Sequence, residues 1–355
     1  MASNQDTAIA WSLAVLAILA TLTALAVARL FVVPVFLAML LALVFSPLCR
    51  WLRRRGIPEP ISATVITVFL LAAIIASTAI LAIPVSSWIE NAPEMAREAE
   101  RKLKSIVGIA NAVIEASEEV EKAAGAQTGN TNQPVEVIID DGGPLTTVAL
   151  GAPLIVAQTI FVLILMLFIL ASGSLFYERL VGIMPTLSDK KRALQIAYDV
   201  EHEVSRYLFS ITLINAGLGM AIGLAMAALG MPNPAIFGLL AFGMNYVPFL
   251  GAVVGIALSF AVALVSLPTG FDAAIVAVVY FALTSIEGQF VTPWFVGRQL
   301  RLNTVVILIA VAFWAWLWSI MGMIMAVPLL VTFRVLCRHI VALKPFEDFL
   351  SAREN

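Results

Sequence analysis

The stretch GMNYVPFLGAVVG (243–255) interrupts an apolar run from Ala235 to Leu267. Its proline lacks a backbone donor and clashes with the preceding helical turn. Its asparagine carries amide groups that need partners. The run is about 33 residues long, roughly 50 Å as a helix, whereas the hydrocarbon core of a bilayer is about 30 Å thick. It is too long for one straight span and too short for two spans with a turn. Two readings stand: a tilted helix kinked at the proline, or a hairpin of shorter helices that enters a membrane and returns to the same face. In the hairpin, NYVPFLG is the tip, with Pro248 and Gly251 making the turn.

The run Asn303–Leu336 poses the same problem. It has a break in WLWSIMGM (316–323), which includes Gly322, and a proline further on at Pro328. The chain around these runs has 355 residues, 61% hydrophobic and 12% charged, with a mean hydropathy of +0.99. A soluble domain carries about 25% charged residues, so this chain reads as an all-α, polytopic membrane protein. About eight hydrophobic segments are expected, two of them broken or re-entrant.

The first span is about Ile9–Ala28, the second Leu30–Leu48, the third Ile61–Ile83, the fourth Thr147–Ser172 and the fifth Tyr207–Leu229. Ala24–Ala28 (ALAVA) could serve as a leader-peptidase site, but Met1–Ala8 holds no Lys or Arg and the run is long, so the first span is expected to be retained. CRWLRRRG (49–56) and a loop with Arg179, Lys190, Lys191, Arg192 and Arg206 are strongly basic, which places both in the cytoplasm. The N- and C-termini are then cytoplasmic as well. As single crossings, the two long runs would put Arg298 and Arg301 outside. As hairpins entering from opposite faces, they return both arginines to the cytoplasm and fit every charge. Leu187–Arg206 is amphipathic and is expected to lie at the inner membrane surface.

Three regions follow: spans one to three (1–83), an extracytoplasmic arm and linker (84–146), and a C-terminal membrane region (147–355). In the arm, Met95, Ala99, Leu103, Ile106, Ala110, Val113, Ser117 and Val120 recur at helical steps and form one apolar stripe. VEVIID (135–140) has the pattern of a short strand. Gly219 and Gly223 form a GxxxG step that lets helix backbones approach closely in lipid, the pattern of a dimer seam.

Asp272–Phe295 carries a charge at membrane depth, in SIEGQFVTP. A carboxylate there costs on the order of 2.5–3.5 kcal/mol to insert. Glu287 therefore faces protein or water, as a proton- or cation-linked carboxylate in a pathway or as a structural partner of the broken hairpin. Gln289 and Thr292 stand close to it, and Asn215 and Asn245 are the other polar groups expected in the interior.

Several chemistries lack their residues. There is no GxxxxGK[ST] loop for ATP and no HExxH. EHE (201–203) puts three consecutive side chains in different directions on a helix, so no metal, cofactor or enzymatic activity is expected. The net charge of -2 gives no reason to expect nucleic acid. Cys49 and Cys337 sit beside basic flanks and read as free thiols packed as apolar residues.

GMNYVPFLGAVVG, EGQFVTPWFVGRQLRLN (287–303) and WLWSIMGMIMAVPLLVTFRVL (316–336) together resemble the autoinducer-2 exporter family of bacterial permeases. Glu287, Thr292, Pro293, Gly297, Gly322, Ala326, Val327 and Pro328 stand at that family's signature positions. The order of elements in the N-terminal half is similar too. The resemblance implies a multi-pass protein of the bacterial inner membrane that assembles as a homo-oligomer, with a pentamer as one form. It implies export of a small polar or amphipathic molecule such as autoinducer-2, driven by a proton or sodium gradient. Sodium–proton antiport, a scaffold acting through the extramembrane arm, and a passive channel are the alternatives. Membrane lipid and a small molecule or ion are the expected partners.

Overall fold

A computed structural model describes residues 4–90, 94, 97–98, 100–102, 144–173, 186–296, 303–339 and 343. Among these residues every regular element is helical. The elements are α1 (Asn4–Val27), α2 (Arg29–Arg54), α3 (Glu59–Glu90), α4 (Pro144–Ser172), α5 (Leu187–Ala228), α6 (Pro234–Met244), α7 (Leu250–Ser266) and α8 (Gly270–Ile286). A π-helical segment, Glu287–Val291, follows α8 directly and leads into α9 (Thr292–Val296). The last element is α10 (Thr304–His339). Seven of these segments are long and apolar enough to cross a membrane, by length and composition, and α6 and α7 are shorter apolar helices. The apolar stripe expected in the arm, Met95 to Val120, lies outside the described residues, as does VEVIID (135–140).

The helices sort by which face they bury. On α2, Ala38 and Ala42 meet Val162, Leu163 and Met166 of α4 together with Ala63 and Ile66 of α3. Leu40 and Val44, on its other face, meet Val204 and Leu208 of α5. Small residues on one side and branched ones on the other let α2 stand between two neighbours. The outward surface is apolar: Trp11, Leu16, Phe69, Phe168 and Leu224 are exposed, as lipid contact requires.

α5 is 42 residues long, about 63 Å, and exceeds the bilayer core. Leu187–Arg206 is thus not a separate surface helix. Leu187–Ala216 contains no Gly or Pro to break it, so the amphipathic stretch continues the fifth span as one rod. Ion pairs brace that extension. Glu201 takes Arg50 of α2 at 2.7 Å and Ser46 at 2.9 Å, while Asp199 meets His339 of α10 at 2.9 Å and Glu203 meets Arg338. The EHE triplet is divided among these contacts, and His202 stacks on Tyr198 at 6.0 Å.

The GxxxG step of α5 is used inside the chain. A Cβ on Gly219 would lie 2.7 Å from the Gly238 carbonyl oxygen of α6, and Gly223 faces the same glycine. This seats α6 antiparallel on α5. α6 has 11 residues, about 16 Å, and does not reach across a bilayer. At its end the chain turns through Asn245–Phe249 and returns as α7, so Ala235–Leu267 is a hairpin and Pro248 lies in its turn.

Two features fix that turn. Phe249 has φ 64, and Gly251 sits so close to α6 that a Cβ would be 2.1 Å from the Met244 carbonyl oxygen. The hairpin packs through Phe237, Val262 and Leu264 against Ala273, Val276 and Tyr280 of α8 and against Ile222 and Met226 of α5.

α10 is also a hairpin. Trp318 (φ -130, ψ 15) and Ser319 (φ 60, ψ -140) are not helical. A Cβ on Gly322 would be 1.9 Å from the Trp314 carbonyl oxygen. Val306 packs on Leu330, residues that a straight helix would hold about 36 Å apart. The first arm begins at Asn303, whose side chain accepts from the Val305 N–H at 3.0 Å. The feet of α10 lie at the basic end of the bundle, with Arg338 and His339 on the α5 extension. The first hairpin starts at the opposite end, just after α5. One expectation is corrected: Pro328 is no break. It lies buried in the returning arm, nine residues beyond Ser319, where Thr332 Oγ1 donates to its carbonyl at 2.9 Å. A proline inside a helix removes one donor without reversing the chain.

Candidate functional site where two hairpins meet

The tip of the first hairpin reaches the flank of the second. Val247 is buried at 5% exposure against Val311 and Ala326, one from each arm of α10, with Trp314, Met323 and Ile324 around them. The contact joins two elements that come from opposite ends of the bundle.

A polar layer lies beside this contact. Asn245 Nδ2 donates to Asn215 Oδ1 at 2.8 Å. The Tyr246 hydroxyl donates to Thr212 Oγ1 at 2.8 Å, and Thr212 donates in turn to the Leu208 carbonyl at 2.8 Å. Thr212 and Asn215 are one helical turn apart on α5, so they face the same tip. Asn215 is 1% exposed, and its Nδ2 has no hydrogen-bond partner among the described residues. A buried amide left without an acceptor costs about 1–3 kcal/mol and marks a place where a polar guest is stabilised.

Glu287 opens the π segment and is half-buried. The Thr292 hydroxyl donates to its Oε1. Its depth follows from the packing of α8 on α7. Tyr280 fills the notch at Gly255, where a Cβ would be 2.1 Å from the Tyr280 hydroxyl oxygen. Glu287 is a further seven residues along, about 10 Å. The turn before Leu250 is five residues from Gly255 in the same direction, about 7–8 Å. The carboxylate and the Asn245 turn are thus at nearly the same depth. The π segment and α9 also pack against α5.

The expected residues fall into two groups. Asn215 and Asn245 are bonded to each other, and Glu287 is bonded to Thr292. Among the described residues no hydrogen bond joins the two pairs. Gln289 is exposed on the outer side of the π segment. Gly251 and Gly322 were expected to make the breaks, but they lie just after the turns, in α7 and in the returning arm of α10, each pressed on the opposite arm. Thr212 was the residue sequence reasoning missed. Its signal was its i, i+3 spacing from Asn215 in an otherwise apolar helix. The tryptophans around the second break divide: Trp318 is buried and donates from Nε1 to the Leu25 carbonyl at 3.2 Å, Trp314 packs on it with ring centroids 4.7 Å apart and planes tilted by 41°, and Trp316 is exposed.

Residues 13–342 match the family described as AI-2E family transporter. The chain is 27% identical over 312 residues to "AI-2 transport protein TqsA" of Escherichia coli, covering 86% of this chain and 84% of that protein. It is 27% identical over 354 residues to "Putative transport protein MT0215" of Mycobacterium tuberculosis, covering 96% and 92%. It is also 24% identical over 303 residues to "Putative transport protein YhhT" of Escherichia coli, covering 84% and 81%.

Proposed function

The chain belongs to the AI-2E family of transporters, and on that premise we propose that it is a secondary efflux permease. Its cargo is a small polar or amphipathic molecule, of the kind autoinducer-2 represents, and a proton or sodium gradient drives it through Glu287. The protein works in the bacterial inner membrane, both termini cytoplasmic, as a homo-oligomer. One observation carries the reading: two hairpins that enter from opposite ends meet at Val247, Val311 and Ala326, at about the depth of a half-buried carboxylate. Non-helical backbone at membrane depth survives where protein or a wet cavity surrounds it, and paired broken segments of opposite entry are the usual frame of a transport site. The Asn215 amide offers donors to a polar cargo, and Glu287 offers a charge that a cation neutralises.

The test is flux in proteoliposomes under an imposed pH or sodium gradient, starting from a substrate screen that includes autoinducer-2. Glu287→Gln is expected to abolish the gradient dependence while the protein remains folded. Gradient-dependent flux at the wild-type rate in that variant would defeat the role given to Glu287.

A further inference from the structure

We propose that the end of α2 is a binding site for the headgroup of an anionic phospholipid, built from Arg55 stacked on Trp51, with the charge of the neighbouring Arg54. The site is independent of Glu287 and of the cargo, and it assigns a headgroup where only general contact with lipid was expected.

CRWLRRRG (49–56) holds four arginines, and two of them are used inside the protein. Arg50 pairs with Glu201 of α5 at 2.7 Å, and Arg53 pairs with Glu59 of α3 at 2.5 Å. Glu201 and Glu59 are thereby neutralised. Arg54 and Arg55 are exposed, and neither guanidinium has an ion pair or a hydrogen bond among the described residues. Two positive charges are left over. Trp51 lies 22 residues beyond Arg29 on the same helix, about 33 Å along its axis, close to the thickness of the hydrocarbon core. The two arginines that follow it therefore stand at the level of headgroup phosphates.

The local structure prepares the donors. The chain leaves α2 through a Schellman turn: the Gly56 N–H bonds the Arg53 carbonyl at 2.9 Å, and the Ile57 N–H bonds the Leu52 carbonyl at 3.2 Å. Gly56 supplies the left-handed residue that this turn needs, with φ 87. Carbonyls at a helix C-terminus repel an anion, and these two are occupied. Arg55 is held just before the turn, its guanidinium carbon 4.2 Å from the centre of the Trp51 ring. Stacking engages the face of the guanidinium. Its N–H donors lie in the plane, around the edge, and stay free for phosphate oxygens. Trp51 is 48% exposed, and an indole at the membrane interface sits at headgroup level, which favours a lipid over a soluble phosphate. A zwitterionic headgroup would bring a cation of its own against two arginines. An anionic one brings none, and basic residues at the end of a spanning helix attract it.

The experiment uses the full chain in detergent micelles, with dioleoyl phosphatidylglycerol and dioleoyl phosphatidylcholine as probes and native mass spectrometry to count bound lipid. Saturable binding of phosphatidylglycerol, tighter than that of phosphatidylcholine, is expected. Arg54→Gln combined with Arg55→Gln should weaken it about 25-fold, a factor of about five for each arginine. Trp51→Leu and Arg55→Lys keep the charge and lose the stacked fork, and each should weaken binding about threefold. They also serve if the double variant fails to fold. Lys191→Gln removes an exposed cation on α5 and should change nothing. Equal binding of the two lipids would overturn the proposal, as would wild-type affinity in the double variant. Displacement of the lipid by soluble glycerol phosphate would also overturn it, in favour of a site for free phosphate. Wild-type affinity in both Trp51→Leu and Arg55→Lys, or a loss in Lys191→Gln as large as in the double variant, would replace the site with diffuse charge attraction.

Discussion

Asn245 and Asn215 show how much depends on single polar groups at membrane depth. Each amide is stabilised by the other, through one bond of 2.8 Å. Removing one side leaves the other buried and unpaired, which costs about 1–3 kcal/mol. Asn245→Ala should therefore lower the stability of the protein by that amount in chemical denaturation. Replacing both residues by leucine should recover most of the loss, because two apolar groups leave nothing unpaired. If the pair serves transport, the double variant will be stable and inactive. A stable double variant with wild-type flux would show that the pair is structural only. These two asparagines were legible in the sequence because an amide in an apolar run must find a partner. Their pairing was not, since Asn215 and Asn245 are 30 residues apart and only the seating of α6 on α5 brings them together. Glu287 was legible for the same reason, but the π winding around it was not, because no residue type marks a wider turn until Pro293 closes it.

At the scale of the element, the hairpins were readable from length and charge. A run of about 33 residues fits neither one span nor two, and Arg298 and Arg301 chose between the remaining readings. The second reversal falls at Trp318 and Ser319, inside the stretch 316–323 where a break was expected, whereas Pro328, the other candidate, sits in a helix. What Gly251 and Gly322 do is permit contact just after each turn. A Cβ at either would strike a backbone carbonyl at 2.1 or 1.9 Å, and a carbonyl in a packed hairpin has little room to move. Gly251→Ala and Gly322→Ala should each lose about 2–3 kcal/mol, measured as a fall in thermal midpoint, whereas Gly217→Ala, with nothing within 4 Å, should be neutral. Equal midpoints for all three variants would mean that the tips are looser than described. The α5 extension was misread for a physical reason: amphipathicity records which face is apolar, and it says nothing about whether a helix lies along a membrane or stands out of it.

At the scale of the molecule, the C-terminal half contains the same unit twice. A span, α5, precedes a hairpin that enters from the far end, and a second span, α8 with α9, precedes a hairpin that enters from the basic end. Each tip has a residue of positive φ, Phe249 or Ser319, followed closely by a glycine pressed on the opposite arm. Opposed units of this kind place a site at their junction. The N-terminal helices brace the junction from outside: α2 stands against α5, and Trp88 of α3 packs on Phe237 at 6.1 Å at the mouth of the first hairpin. Lys102 closes the same mouth, donating to the Leu267 carbonyl at 2.8 Å.

The central claim is that these two hairpins touch at membrane depth. Val247→Cys combined with Ala326→Cys, in a chain whose Cys49 and Cys337 are replaced by alanine, tests it in native membranes by oxidative cross-linking. The account predicts an efficient intramolecular disulfide between positions 247 and 326. Failure to form it, under conditions that join Val306→Cys to Leu330→Cys within the second hairpin, would contradict the account.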